Sequence, residues 1–411
     1  MKFFLPACVF AFVSVANAQV THYDVRLTPD FEHHLLRGVE EITFAHMAGL
    51  VEWNKQAGMQ ILKAEVADGD ITNQEETVRI VLRQGGTHRL KVEYTAPPGK
   101  GFNWPSGDEG FDTAFYCEAW IVCDNSPGQR ATLRLEVVLP DAGGDWNAVG
   151  PGERLKVSNS SHVVFEQRAP VQTYLFSFAV ARLKLMTEGR FSVYAADDDH
   201  GIVFERTSDV YQYLRGLATV DPVNKNYAQA FLPPDGLGQE AAGMALMSAG
   251  YLTQIEENDS VYLMAHELAH QWWGVTVGIR SWSDFWLNEG MAEFVADAYV
   301  STYGGRGAYE QRMVRLRERM DAIRAAGKDR PLHWEGWKDA HEALGELPYV
   351  KGALFLDRLR TQLGERAFWT GLGKYTALHA GGLVDSRDFQ RAMESTSGLD
   401  LKSLFDAAVY Q

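Results

Sequence analysis

The sequence predicts an α+β protein with an antiparallel, saddle-like β domain over residues 19–196 and a mainly helical domain over 200–411. Three observations carry that reading. Apolar residues alternate with polar ones through the first half, and helix-period patterns dominate the second. Between the halves lies the acidic run Asp197-Asp198-Asp199, whose composition suits a solvated inter-domain loop. At 411 residues the chain can bury two or three cores. Its 46% hydrophobic and 23% charged residues suit a soluble globular protein. A formal net charge of −15 excludes the basic footprint of a nucleic-acid binder.

The first eighteen residues read as an export signal. Lys2 supplies the positive charge, Phe3 to Val15 is mostly apolar, and Ala16-Asn17-Ala18 is a small-x-small cleavage site before Gln19. That apolar run is too short to span a bilayer, and no other stretch is long enough. An exported, periplasmic or secreted protein without an integral membrane span is expected. Export would permit a disulfide between Cys117 and Cys123, and two separate buried thiols fit the spacing equally well.

Strands are expected where Tyr23, Val25 and Leu27 alternate with polar residues, then at Val78, Ile80 and Leu82 and at Leu90, Val92 and Tyr94. Gln84-Gly85-Gly86 suits a hairpin between the last two. Leu133, Leu135, Val137 and Leu139 mark a further strand ended by Pro140, and others follow over Gln172 to Leu183 and Phe191 to Ala195. Helical patterns then cover 207–219, 259–273, 285–302, 306–326 and 349–363, interrupted by an extended segment from Leu237 to Leu252.

The helix expected over 259–273 carries His266-Glu267-Leu268-Ala269-His270. Positions i and i+4 share one face, so both imidazoles can reach a single metal ion. Eighteen residues separate His270 from Glu289, which lies in the next helical segment, where Ser283 or Asp284 can cap the start. Two His and one Glu form a known zinc ligand set that leaves a position open for water. One zinc ion per chain is expected on His266, His270 and Glu289. Glu267, beside the metal site, is then placed to take a proton from a water on the zinc and return it to a leaving nitrogen. Gly274 can end the helix, and Glu293, one turn after Glu289, can support a ligand from behind.

HELAHQWWG followed by WLNEGMAEF resembles the gluzincin aminopeptidases, the family of membrane alanyl aminopeptidase and leukotriene hydrolase. The resemblance implies a saddle-shaped β domain followed by a thermolysin-like catalytic domain, and peptide substrates with a free N-terminus. The family carries a GAMEN-type edge strand before the zinc helix. Leu237-Gly238-Gln239-Glu240-Ala241 is the matching segment, with Gly238 in the Ala place and Gln239 and Ala241 replacing Met and Asn. By resemblance Glu240 binds the substrate's α-amine. Tyr349 in LPYVKGALFL matches the family's Tyr-x-Lys-Gly-Ala segment, whose Tyr donates a hydrogen bond to the oxyanion. Glu118 matches, loosely, a second amine contact from the β domain. Since 62 positions separate Tyr349 from Gln411, a short member without the C-terminal helical domain is implied. Two other readings remain: a zinc endopeptidase with an open cleft, and a non-catalytic peptide-binding protein of the same fold.

Overall fold

The computed structural model of the protein describes residues 18–105, 110–140, 146–233 and 238–411. The expected export signal lies outside them as far as residue 17, as does Leu237 of the edge-strand segment. Among the described residues no helix is long and apolar enough to cross a membrane.

A seven-stranded sheet dominates the first half, with Gln19–Asp30 between Arg130–Val138 and Leu35–His46. Tyr23, Val25 and Leu27 are fully buried, as their alternation requires. The pairing is mostly antiparallel, but Gln19–Asp30 runs parallel to Arg130–Val138. The two strands are separated by a hundred residues that supply the long crossover a parallel pair needs.

The hairpin expected at Gln84-Gly85-Gly86 does not form. Thr77–Leu82 pairs with Gly49–Asn54 and Gly69–Asn73 in a separate three-stranded sheet, whereas Gly86–Ala96 joins Leu35–His46 and Gln60–Val66. The glycines make a passage from one sheet to the other. Gly85 lies against Met47, where the chain makes the reverse passage from His46 to Gly49, and a Cβ at Gly85 would sit 3.3 Å from the Met47 Cα. The segment Gln172 to Leu183 is likewise not one strand. His162–Gln172 ends in a 3-10 turn at Thr173–Leu175, and a new strand begins at Ala179–Arg182.

One sheet also runs across the expected junction after residue 196. Lys184–Glu188 and Phe191–Ala195 belong to a five-stranded sheet with Tyr227–Leu232, Met244–Ser248 and the edge strand Gly238–Ala241. Phe191–Ala195 lies parallel to Tyr227–Leu232, and the helix Gly201–Ala218 is the crossover between them. The acidic run is therefore the loop into that helix, inside a strand–helix–strand unit, because the parallel pair needs a connection long enough to return to its start.

Apart from the short parallel pair Val277–Ile279 and Gly382–Val384, the elements after this sheet are helical. Tyr262–Ala269 is shorter than expected at both ends. Trp286–Ala325 breaks at Gly305 (φ 69°, ψ −175°), giving two arms near the expected 285–302 and 306–326. Neither Ser283 nor Asp284 caps the first arm. Ser281 instead accepts the Ser283 amide in a preceding 3-10 turn, Trp282–Asp284. Glu346–Leu363 follows, and Glu365–His379 and Ser386–Ser397 are additional helices. One continuous apolar core runs from the large sheet into these helices.

Candidate metal centre and active site

The HELAH helix is buried on nearly every side, by Met264, Ala265, Leu268 and Ala269 as well as by the two histidines. Glu289 enters from the first turn of the next long helix. The His266 Nε2 to His270 Nε2 distance is 3.2 Å, and Glu289 Oε2 lies 3.5 and 3.4 Å from them. For bonds of about 2.0–2.1 Å, the edges of a tetrahedron around zinc measure about 3.3–3.4 Å. Three ligand atoms therefore already stand at the vertices of such a polyhedron. Glu289 Oε1 and Glu267 Oε2 are buried without a hydrogen-bond partner, as are groups built to face an ion or a ligand. The residues present fit one zinc ion.

The electrostatics follow from burying several carboxylates beside two imidazoles. Burial pushes Glu267 up to about 8, a rise countered by His270 and reinforced by Glu289. Burial alone would depress His270, but Glu240 and Glu289 lift it to about 9. Burial alone would raise Glu289, yet His270 and His266 hold it down at about 2. Burial also carries Glu240 well above the usual carboxylate range.

Glu240 sits on the edge strand Gly238–Ala241, and its ligand oxygen falls within 4.8 Å of those of Glu267 and His270. Gly238 is exposed, and a Cβ there would sit 3.3 Å from Glu267 Oε1 and 3.1 Å from Leu263 Cδ1. Gln239 turns the other way and donates to Ser177 Oγ at 3.0 Å. Tyr349 occupies the first turn of Glu346–Leu363, with its ring parallel to His266 at 5.9 Å between centroids. Burial and the neighbouring carboxylates of Glu289, Glu240 and Glu267 raise its phenol well above 10. Six of the expected site residues, together with Gly238, thus converge on one place.

Glu118 has other described partners. Its charged surroundings are Lys100, Asp339 and Asp124, and burial lifts it to about 7. Among the described hydrogen bonds and ion pairs it has no contact with the metal-binding cluster. It lies in the loop closed by the disulfide Cys117–Cys123, which rests on Glu40 through the Val122 amide (3.0 Å) and on Tyr94, which donates to the Trp120 carbonyl (2.6 Å).

Glu293 stands behind His266 as expected, and sequence patterns did not reveal the groups that hold it there. Glu293 Oε2 lies 3.7 Å from His266 Nδ1, accepts the Tyr262 hydroxyl, and faces Arg312 at 3.7 Å. Arg312 binds Asp297 and covers the Tyr262 ring at 3.7 Å. Asn288 donates to the buried Tyr174 hydroxyl at 2.9 Å. His270 Nδ1 points at the Trp273 carbonyl at 3.2 Å, which fixes the tautomer that leaves Nε2 free for a metal.

Residues 241–407 match the model of the peptidase family M1 domain. Over that stretch the chain is similar to the peptidase family M1 domain. Around that stretch the likeness is broader and more distant. Leucine aminopeptidase 2 of Aspergillus oryzae is 25% identical over 68% of this chain and 47% of its own length. Aminopeptidase N of Lactobacillus helveticus is 24% identical over 95% of this chain and 50% of its own. The chain spans about half the length of these curated relatives. An M1 zinc metallopeptidase from Deinococcus radiodurans superposes with a TM-score of 0.78 at 22% identity, covering 95% of this chain and 94% of that one. Native yeast LTA4 hydrolase gives 0.82 at 17% identity, covering 96% and 68%. The β-then-helical order is thus that of two-domain M1 structures.

Proposed function

We propose that this chain is an exported zinc-dependent aminopeptidase that removes N-terminal residues from peptides. One observation carries the reading: Glu240 places a buried carboxylate on an edge strand within 4.8 Å of Glu267 and His270. An anion so near the metal site can hold a substrate ammonium and leave room only for the first peptide bond.

His266, His270 and Glu289 would hold the ion. When bound, zinc supplies a Lewis-acidic centre that polarises water and the scissile carbonyl. The chain's own groups do the rest. Substrate backbone adds to the open edge of Gly238–Ala241, where Gly238 leaves space beside Glu267. Glu267 takes the proton of the attacking water and returns it to the leaving nitrogen. Tyr349 keeps its proton and donates a hydrogen bond to the oxygen that becomes negative. The Cys117–Cys123 disulfide supports export, since oxidising compartments preserve such bonds.

A panel of aminoacyl anilides and their N-acetyl counterparts, with and without chelator, tests the proposal. Chelator-sensitive cleavage of the free-amine series is expected. Equal cleavage of both series would instead identify an endopeptidase, and cleavage of neither a peptide-binding protein.

A further inference from the structure

We propose that Gln271 is a positioning residue that fixes Glu240 at its distance from the metal-binding pair and so sets the preference for a free amine. The inference rests on the aminopeptidase reading of Glu240. Gln271 follows His270 directly and is buried. Its Oε1 accepts the Gly243 amide at 2.9 Å, while Nε2 donates to the carbonyls of Ala241 at 3.0 Å and Met244 at 3.4 Å. These three groups make up the turn that leaves the edge strand immediately after Glu240.

That strand needs such a clamp. It is four residues long and pairs on one side only, with Met244–Ser248. Sheet pairing alone sets its register but leaves an edge strand free to tilt away from the helix beside it. Gln271 ties the turn to the residue next to a metal ligand. The residue's backbone is anchored as well, because its main-chain carbonyl accepts from Thr276 Oγ1 at 2.6 Å and its main-chain amide donates to the Leu268 carbonyl at 3.1 Å. From the other side the turn is held by Ala242, which donates to Leu175 and accepts from Gly152. Gly243 has φ +78°, and a Cβ there would sit 2.7 Å from Asn224 Nδ2, so the turn has no slack outward. Glu240 is therefore carried on a short lever whose inner end is the Gln271 amide. A displacement of about 1 Å in such a group can cost about 10²-fold in rate.

The test compares two metal-directed probes, leucine hydroxamate and N-acetyl-leucine hydroxamate, on wild type, Gln271→Met and Gln271→Glu. Both probes reach the zinc, and only the first offers an ammonium to Glu240. Met removes the whole clamp at similar volume. Glu keeps the acceptor for Gly243 but sets an oxygen against two carbonyls, so it serves if the Met variant does not fold. We expect zinc content to hold, the free-amine probe to weaken about ten-fold, and the blocked probe to be unchanged. Hydrogen exchange at Gly243 should accelerate in Gln271→Met, which removes the acceptor of that amide. Unchanged probe selectivity with faster Gly243 exchange would overturn the inference, as would equal weakening of both probes. A wild type that binds the two probes equally would instead defeat the Glu240 reading itself.

Discussion

Tyr349→Phe isolates one hydroxyl at the centre of the site. The Tyr349 ring lies parallel to His266, with 5.9 Å between centroids and 9° between planes, so Phe keeps the packing surface. Burial and three carboxylates raise the phenol pKa, which makes it a reliable proton donor near neutrality and a poor phenolate. A donor aimed at a charge that exists only in the transition state acts on kcat and leaves KM nearly alone. Losing one oxyanion donor costs about 10²–10³-fold in kcat, or about 2.7–4 kcal/mol. Losing one ordinary hydrogen bond would cost about 0.5–1.5 kcal/mol of stability. The two roles therefore separate on two instruments. Steady-state kinetics on an aminoacyl anilide should show the large kcat loss, while zinc content and melting temperature stay near wild type. A kcat within about three-fold of wild type, with a lowered melting temperature, would make Tyr349 a packing residue and refute the reasoning.

Glu267→Gln should retain zinc and lose at least about 10²-fold in turnover, because an amide cannot accept the water's proton; near-normal rates would remove the general base from the scheme. His270→Ala should abolish stoichiometric zinc on metal analysis, since it deletes one of three ligands. Stability of the chelated protein should depend on pH in a definite direction. Glu267 rises from 4.5 to about 8 and His270 from 6.5 to about 9, so each contributes stability that is full below its unfolded value and lost as pH climbs through the folded one. Glu289, held at about 2, acts oppositely, its contribution being lost only as pH falls below 4.5. The chelated protein should therefore melt progressively lower from pH 5 to 9. The protection added by zinc should widen from pH 6 to 9, because the metal takes deprotonated ligands. A gap that narrows over that range would contradict the assignment.

The grouping of the proposed zinc ligands was legible because their geometry is local. An i, i+4 pair on a buried helix fixes two vertices, and the short step to Glu289 brings the third. The edge strand and Tyr349 needed the family resemblance, since nothing in the segment around Gln239 or the helix at Pro348 says which way a side chain faces. What sequence patterns missed is non-local. The passage at Gln84-Gly86 looks like a hairpin because alternation reports a buried face but not which sheet supplies the partner. The acidic run reads as a linker because a loop inside a strand–helix–strand unit has the same composition. Arg312 and Asp297 meet behind the site only because Gly305 folds one arm back on the other. Gln271 stood beside the motif, but its partners lie some thirty residues upstream on the edge strand and its turn.

In the proposed function, selectivity follows from charge balance. Glu240, Glu267 and Glu289 are each at most 3% exposed, too little for water to stabilise three anions at once. A divalent cation on His266, His270 and Glu289 compensates one carboxylate directly, and Glu267 exchanges its proton with the reacting water. Glu240 is left needing a positive charge that no lysine or arginine among its described charge partners supplies. On the proposed reading an incoming α-ammonium provides it, so substrate binding would ionise the anchor and satisfy it in one step. An acetylated terminus brings only an amide and leaves the carboxylate either protonated or unpaired. Sites built around a buried polar partner reject analogues lacking it far more strongly than apolar pockets reject a missing methylene. Under the proposed function, recognition of a free N-terminus is a consequence of where Glu240 is buried, and Gln271 is proposed to matter because it keeps Glu240 there.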